Sequence, residues 1–177
     1  MTYWKLKGNR WPLYVLAFLL LGFFNQATCK YSFKDTSPIP AEIKTFRVNY
    51  IENKASYVNT QLSPQITERL KQKIISTTRL QQTNNDDAHY DISGFVSQYQ
   101  TSTVAVSGGN SSGNRLTVGF HLSVKCSLDE KRNVEADFTR TYDFSADKTI
   151  TDVEASLNEE MVRNIVDEIF NKIFSNW

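Results

Sequence analysis

Residues 115 to 127, RLTVGFHLSVKCS, alternate without a break. Leu116, Val118, Phe120, Leu122, Val124 and Cys126 fall on one side, and Thr117, Gly119, His121, Ser123 and Lys125 on the other. A period of two belongs to an extended strand with one buried face and one open face. A helix would scatter the same six apolar side chains around its whole circumference. The chain must therefore build a one-faced sheet, and a second layer from elsewhere in the chain must cover the apolar side.

Other segments supply the remaining strands. In IKTFRVNYI (43–51), Phe46, Val48 and Tyr50 alternate with Thr45, Arg47 and Asn49. In DISGFVSQY (91–99), Ile92, Gly94 and Val96 share a face. In VEADFTRTYDF (134–144), Val134, Ala136, Phe138, Tyr142 and Phe144 lie against Glu135, Asp137, Thr139 and Asp143. The Gly/Ser/Asn-rich STVAVSGGNSSGNR (102–115) and the short LDEKRN (128–133) read as hairpin connections, so the last three strands form an antiparallel meander.

Two amphipathic helices provide the covering layer. In the first, Ser63 reads as the N-cap and Pro64 as the first helical residue. Ile66, Leu70 and Ile74 recur at helical spacing, with Ile75 widening the stripe. The second opens on Thr151 and Glu154 at capping-box spacing. Its stripe runs through Val153, Leu157, Met161, Ile165, Ile169 and Ile173, flanked by Val162, Val166, Phe170 and Phe174. The order β-α-β-β-β-α predicts an α+β two-layer sandwich: two helices on one face of a four-stranded, mainly antiparallel sheet.

The chain has 177 residues, enough for one real core over 43–177, and a net charge of +1. All acidic residues follow residue 28. Nothing in this balance suggests a nucleic-acid-binding protein. The first 28 residues have the layout of an export signal: basic Lys5, Lys7 and Arg10, an apolar run from Trp11 to Phe24, then a short polar segment. That run is too short to span a bilayer. Cys29 follows it, preceded by the small residues Ala27 and Thr28. Its position favours a lipidated first residue of the mature chain, with 29–42, holding two prolines, as the tether. Gln26 stands where a lipidation signal usually has an apolar residue. The alternative is ordinary cleavage, with Cys29 a thiol or paired with Cys126.

Catalytic motifs are missing: no G-x-S-x-G, H-E-x-x-H, P-loop or C-x-x-C occurs. His121 and Ser123 stand two apart on one strand, a spacing too common to indicate a dyad. Asp86 and Asp87 read as solvated acids of a loop, since a hard cation needs more oxygen ligands. No cofactor or metal is expected beyond a covalent lipid on Cys29. The polar face of the sheet is more informative. Ser93, Phe95, Tyr99, Thr117, His121 and Ser123 lie on it by alternation, and it is rich in small side chains. It is either a solvated face or a surface packed against a partner.

The order and spacing of several segments resemble the LptE family of lipopolysaccharide-assembly lipoproteins. The resemblance runs from Cys29 and YSF (31–33) through SPIPAEIKTFRVNY, LSPQITERLKQKIISTTRL, DISGFVSQY, NRLTVGFHLSV, FTRTYDF and DVEASLNEE to IVDEIFNKIFSNW. It implies two helices against a four-stranded sheet and no enzyme activity. It implies a lipid anchor on Cys29 in the outer membrane, facing the periplasm. The implied partner is the LptD β-barrel, plugged by the chain, with lipopolysaccharide as the material inserted into the outer leaflet. It also directs attention to basic residues as contacts for lipopolysaccharide phosphates, here Arg115, Lys125 and Arg140. The competing expectation is a freestanding periplasmic lipoprotein that carries a small or lipidic ligand.

Overall fold

The computed structural model describes residues 39–105 and 112–175. The export segment, Cys29, most of the tether and the tip of the 102–115 connection lie outside the described residues. The elements run β1 (Thr45–Val48), β2 (Glu52–Asn53), α1 (Leu62–Thr77), β3 (Gln81–Gln82), β4 (Tyr90–Ala105), β5 (Ser112–Cys126), a 3-10 turn (Glu130–Arg132), β6 (Val134–Ser145) and α2 (Ile150–Phe174). The α+β reading holds, with both helices on one face of the sheet. The sheet is larger than the four strands expected: β2 and β3 add two residues each, giving six strands in the order β3-β1-β4-β5-β6, with β2 beside β4. It is mixed, because β1 and β2 run parallel to β4, while β4, β5 and β6 form the antiparallel meander.

The apolar side of β5 is buried along its whole length, from Leu116 to Cys126. Against it lie Ile66, Leu70 and Ile74 of α1 and Met161, Val162, Ile165, Val166, Ile169 and Phe174 of α2. Each such aliphatic side chain stabilises the fold by about 1.5–3 kcal/mol through burial. Cys126 is a buried thiol in this core, as its place in the alternation implied. The two helices run parallel to each other. Asn158 donates to Gln65 at 2.7 Å, and one pair of turns further along Lys73 meets Asp167 at 2.6 Å.

Four local expectations are corrected. Ser63 does not cap α1 but is buried inside its first turn; Gln61 holds the cap position without a side-chain bond, and Asn59 Oδ1 in the preceding turn accepts from the N–H groups of Gln61 and Leu62 at 2.9 and 3.1 Å. The capping box of α2 uses Thr149 and Asp152 rather than Thr151 and Glu154. Ile75 points outward, and the α1 stripe is completed instead by Thr67, which accepts from Ile51 N–H and donates to the Ser63 carbonyl. Tyr50 is exposed, because β1 ends at Val48 and the chain turns so that Ile51 enters the core.

A fifth correction bears on the site. β4 carries one extra residue at Ser97: Val96 opposes Phe120, yet Gln98 opposes Gly119. One inserted residue reverses which side chains face which way beyond it. Tyr99, expected on the polar face with Phe95, is therefore turned to the helix side and is 3% exposed. There its hydroxyl donates to Glu154 of α2 at 3.0 Å, and its ring stacks on Tyr57. Gly119 is required opposite the bulge, since a Cβ there would stand 2.9 Å from both Gln98 Cβ and Ser97 Oγ.

Candidate functional site: the open face of the sheet

Opposed residues of an antiparallel ladder share a face, so the register lays out the helix-free side row by row. Lys125 opposes Asp91, with Arg47 of β1 on the far side of Asp91. Ser93, Ser123 and Glu135 form the next row, then Phe95, His121 and Asp137. Past the bulge come Gln100, Thr117 and Thr141, and finally Ser102, Arg115 and Asp143.

Most charges on this face are matched within it. Arg47 forks onto Asp91 through Nε at 3.0 Å and Nη2 at 3.1 Å, and Asn49 adds a third donor to the same carboxylate at 2.7 Å. Those bonds, Arg47 first, hold the Asp91 carboxyl below its ordinary range despite partial burial. Arg115 forks onto Asp143 at 2.6 and 2.8 Å, which lowers the Asp143 carboxyl in the same way. His121 Nδ1 is within hydrogen-bond distance of Asp137, at 2.8 Å, and its Nε2 is 3.7 Å from Glu135. The His121 ring stacks on Phe95 at 4.9 Å, and Lys54 from β2 covers the Phe95 ring at 4.4 Å. Ser93 Oγ donates to the Ser123 carbonyl at 3.1 Å. The surface thus carries two Arg–carboxylate forks separated by hydroxyls, with an aromatic patch and the exposed acids Glu135 and Asp137 around His121 at its centre.

The fold brings Ser93, Phe95, Thr117, His121, Ser123, Arg115 and Lys125 onto this one face. Two expected members are elsewhere: Tyr99 lies among the core side chains, and Arg140 points to the helix side, where it pairs with Glu168 of α2. Arg115 and Lys125 sit toward opposite ends of β5, ~33 Å apart at the usual strand rise. The three bases therefore do not form one cluster. Cys29 lies outside the described residues. Arg47, Lys54 and Asp91 were missed as site residues. They belong to parallel neighbours whose register no alternation within a single strand reveals. Among the described residues no group of His, Cys, Asp and Glu could hold a metal ion, and no helix is long and apolar enough to cross a membrane.

A family model described as LptE, lipopolysaccharide-assembly, matches residues 43–173. The chain belongs to the LptE family. That family is non-catalytic and consists of lipoproteins of the cell envelope. Among solved structures, the fold is similar to that of a minor lipoprotein from Acinetobacter baumannii, with 15% identity, a TM-score of 0.50, and coverage of 75% of this chain and 93% of that one. A weaker similarity, with a TM-score of 0.41 and 17% identity, links it to the rare lipoprotein B from Shewanella oneidensis, covering 71% of this chain and 91% of that one. No curated protein matches the chain.

Proposed function

We propose that this LptE-family chain is an outer-membrane lipoprotein, anchored through Cys29 on the periplasmic side, that plugs an LptD-like β-barrel and assists insertion of lipopolysaccharide into the outer leaflet. The observation that carries the reading is the open face. A face meant only for water tolerates unpaired, mobile charges. A face that must pack against a polar barrel lumen needs its charges neutralised beforehand, because removing an unpaired charge from water is costly. The forks Arg47–Asp91 and Arg115–Asp143 supply that neutralisation. Arg115 and Lys125 remain candidate contacts for lipopolysaccharide phosphates from this face. Arg115 is engaged by Asp143 on that face, and Arg140 by Glu168 on the helix side.

Photo-crosslinking groups placed at Ser93, Thr117 and Ser123 are expected to capture one large barrel protein in cells, and depletion of the chain is expected to make the outer membrane permeable. An unaltered outer membrane after clean depletion would sink the proposal. Intact mass of the membrane-extracted protein tests the anchor. A chain beginning at Cys29 with added diacylglycerol and acyl mass is expected. A lipid-free chain lighter by two hydrogens before reduction would mean a Cys29–Cys126 disulfide instead.

One observation favours the second reading, a freestanding ligand-binding lipoprotein. A cavity of about 250 Å³ lies between residues 57–61 and the first turns of α2, lined by Tyr57, Asn59, Glu154 and Asn158 among others. A small ligand that co-purifies with the chain in the absence of any barrel, and is lost in Tyr57→Ala, would support that reading.

A further inference from the structure

We infer that the outer edge of β6 receives an extended segment of a partner protein, added as a further strand, with basic side chains on the open face and apolar side chains on the helix face. Among the described residues β6 pairs with β5 alone, so one whole side of this 12-residue strand is unpaired. Soluble sheets blunt such edges with short strands, Pro, Lys, bulges or a covering element. The opposite edge follows that rule, since β3 has two residues. β6 is neither short nor bulged, and charged side chains, Glu135, Asp137, Arg140 and Asp143, are the edge device it carries. It contains no Pro and no Lys, and its register with β5 runs from Val134 to Ser145 without a shift.

The ladder also identifies which backbone groups are available. Asn49 and Lys54 N–H groups donate to the carbonyls of Ile92 and Val96. Even-numbered residues of that part of β4 therefore face β1 and β2, and odd-numbered ones face β5. Backbone direction alternates along a strand as the side chains do. Carried across β5, the alternation bonds the even-numbered residues of β6 to β5. It leaves the N–H and C=O of Glu135, Asp137, Thr139, Thr141 and Asp143 directed at the outer edge.

The same five residues present an acidic and hydroxyl column on the open face. On the helix face Val134, Phe138 and Phe144 are only partly buried against the core. An added strand would finish covering them, and basic residues at its alternate positions would meet the exposed carboxylates of Glu135 and Asp137, Asp143 being already engaged by Arg115. A second copy of this chain fits poorly. The two antiparallel self-pairings that use nearly the full strand set either Asp137 or Glu135 opposite Asp143, like charge against like. The inference does not require the partner to be the proposed barrel. If it is, the added segment comes from a loop or tail, because a closed barrel wall has no unpaired strand to offer.

Hydrogen exchange of the full chain, read residue by residue, tests this with two synthetic peptides as long as β6, one alternating Lys and Val, the other Glu and Val. The Lys/Val peptide is expected to slow exchange of the odd-numbered amides from 135 to 143 by about tenfold or more, and the Glu/Val peptide to leave them unchanged. Glu135→Lys with Asp137→Lys should exchange the two preferences. Thr139→Pro removes one outward donor without touching the β5 ladder, and should abolish protection while the thermal melt stays cooperative. Equal protection by both peptides, protection by neither, or a concentration-dependent dimer that protects β6 in the chain alone would overturn the inference. Co-purification with a barrel while the β6 amides stay fast in the complex would overturn it too, and would leave the proposed function standing.

Discussion

Asp91 accepts three hydrogen bonds on the open face, two from Arg47 and one from Asn49, and this makes it a pH-linked residue. Its folded-state pKa is lowered relative to the unfolded chain. The stability it contributes is therefore present above the unfolded value of about 4 and is lost as pH falls through the folded one. Thermal melts at decreasing pH should fall more steeply below about pH 4 in the wild type than in Asp91→Asn. Asp143, lowered by Arg115, acts in the same direction. A different argument applies at Tyr99. Burial pushes its hydroxyl above the usual tyrosine range, so it stays a donor. Tyr99→Phe deletes the bond to Glu154 and should cost about 1 kcal/mol in denaturant unfolding, leaving the stacked ring pair in place. Neither role is visible from residue identity. Asp91 is one acid among many until β1 is paired with β4, and Tyr99 is on the wrong face until the bulge is counted.

Ambiguities in the sequence are resolved one element at a time. The segment TITDVE (149–154) contains two overlapping capping patterns, Thr149 with Asp152 and Thr151 with Glu154. The second is not available for capping, because Tyr57 and Tyr99 hold Glu154 across the layer boundary. Thr149→Ala should therefore destabilise the fold by about 1 kcal/mol, while Thr151→Ala should be close to neutral in the same chemical melt. At α1, packing removes Ser63 from the cap by burying it, and Asn59 in the preceding turn accepts from the Gln61 and Leu62 N–H groups instead. At the β4 bulge, Gly119→Ala would force a Cβ against Gln98 and Ser97. A loss of about 1–3 kcal/mol is expected, as for other overpacked interiors. Absence of any loss would mean that the strand pair relaxes around the bulge.

For the molecule as a whole, what matters is that both helices among the described residues occupy one side of the sheet, leaving the other to polar side chains and two Arg–carboxylate forks. Ser123→Arg on that helix-free side should change folding stability by no more than about 0.5 kcal/mol, as surface substitutions usually do, yet abolish co-purification with the proposed barrel. Full retention of the complex would show that the partner engages another surface. The sequence by itself determined the layer architecture, because a strict period of two and two helical stripes can bury their apolar sides only against each other. It also determined the burial of Cys126 and the polarity of the helix-free side. Only the tertiary structure decided the two extra short strands, the reversal of faces at Ser97 and the pairing of Arg47 with Asp91. It alone put Arg140 against the helix layer and left the edge of β6 open. Periodicity is a local property of the chain. Register, bulges and ion pairs depend on which distant segment lies alongside, a choice made by the packed core as a whole.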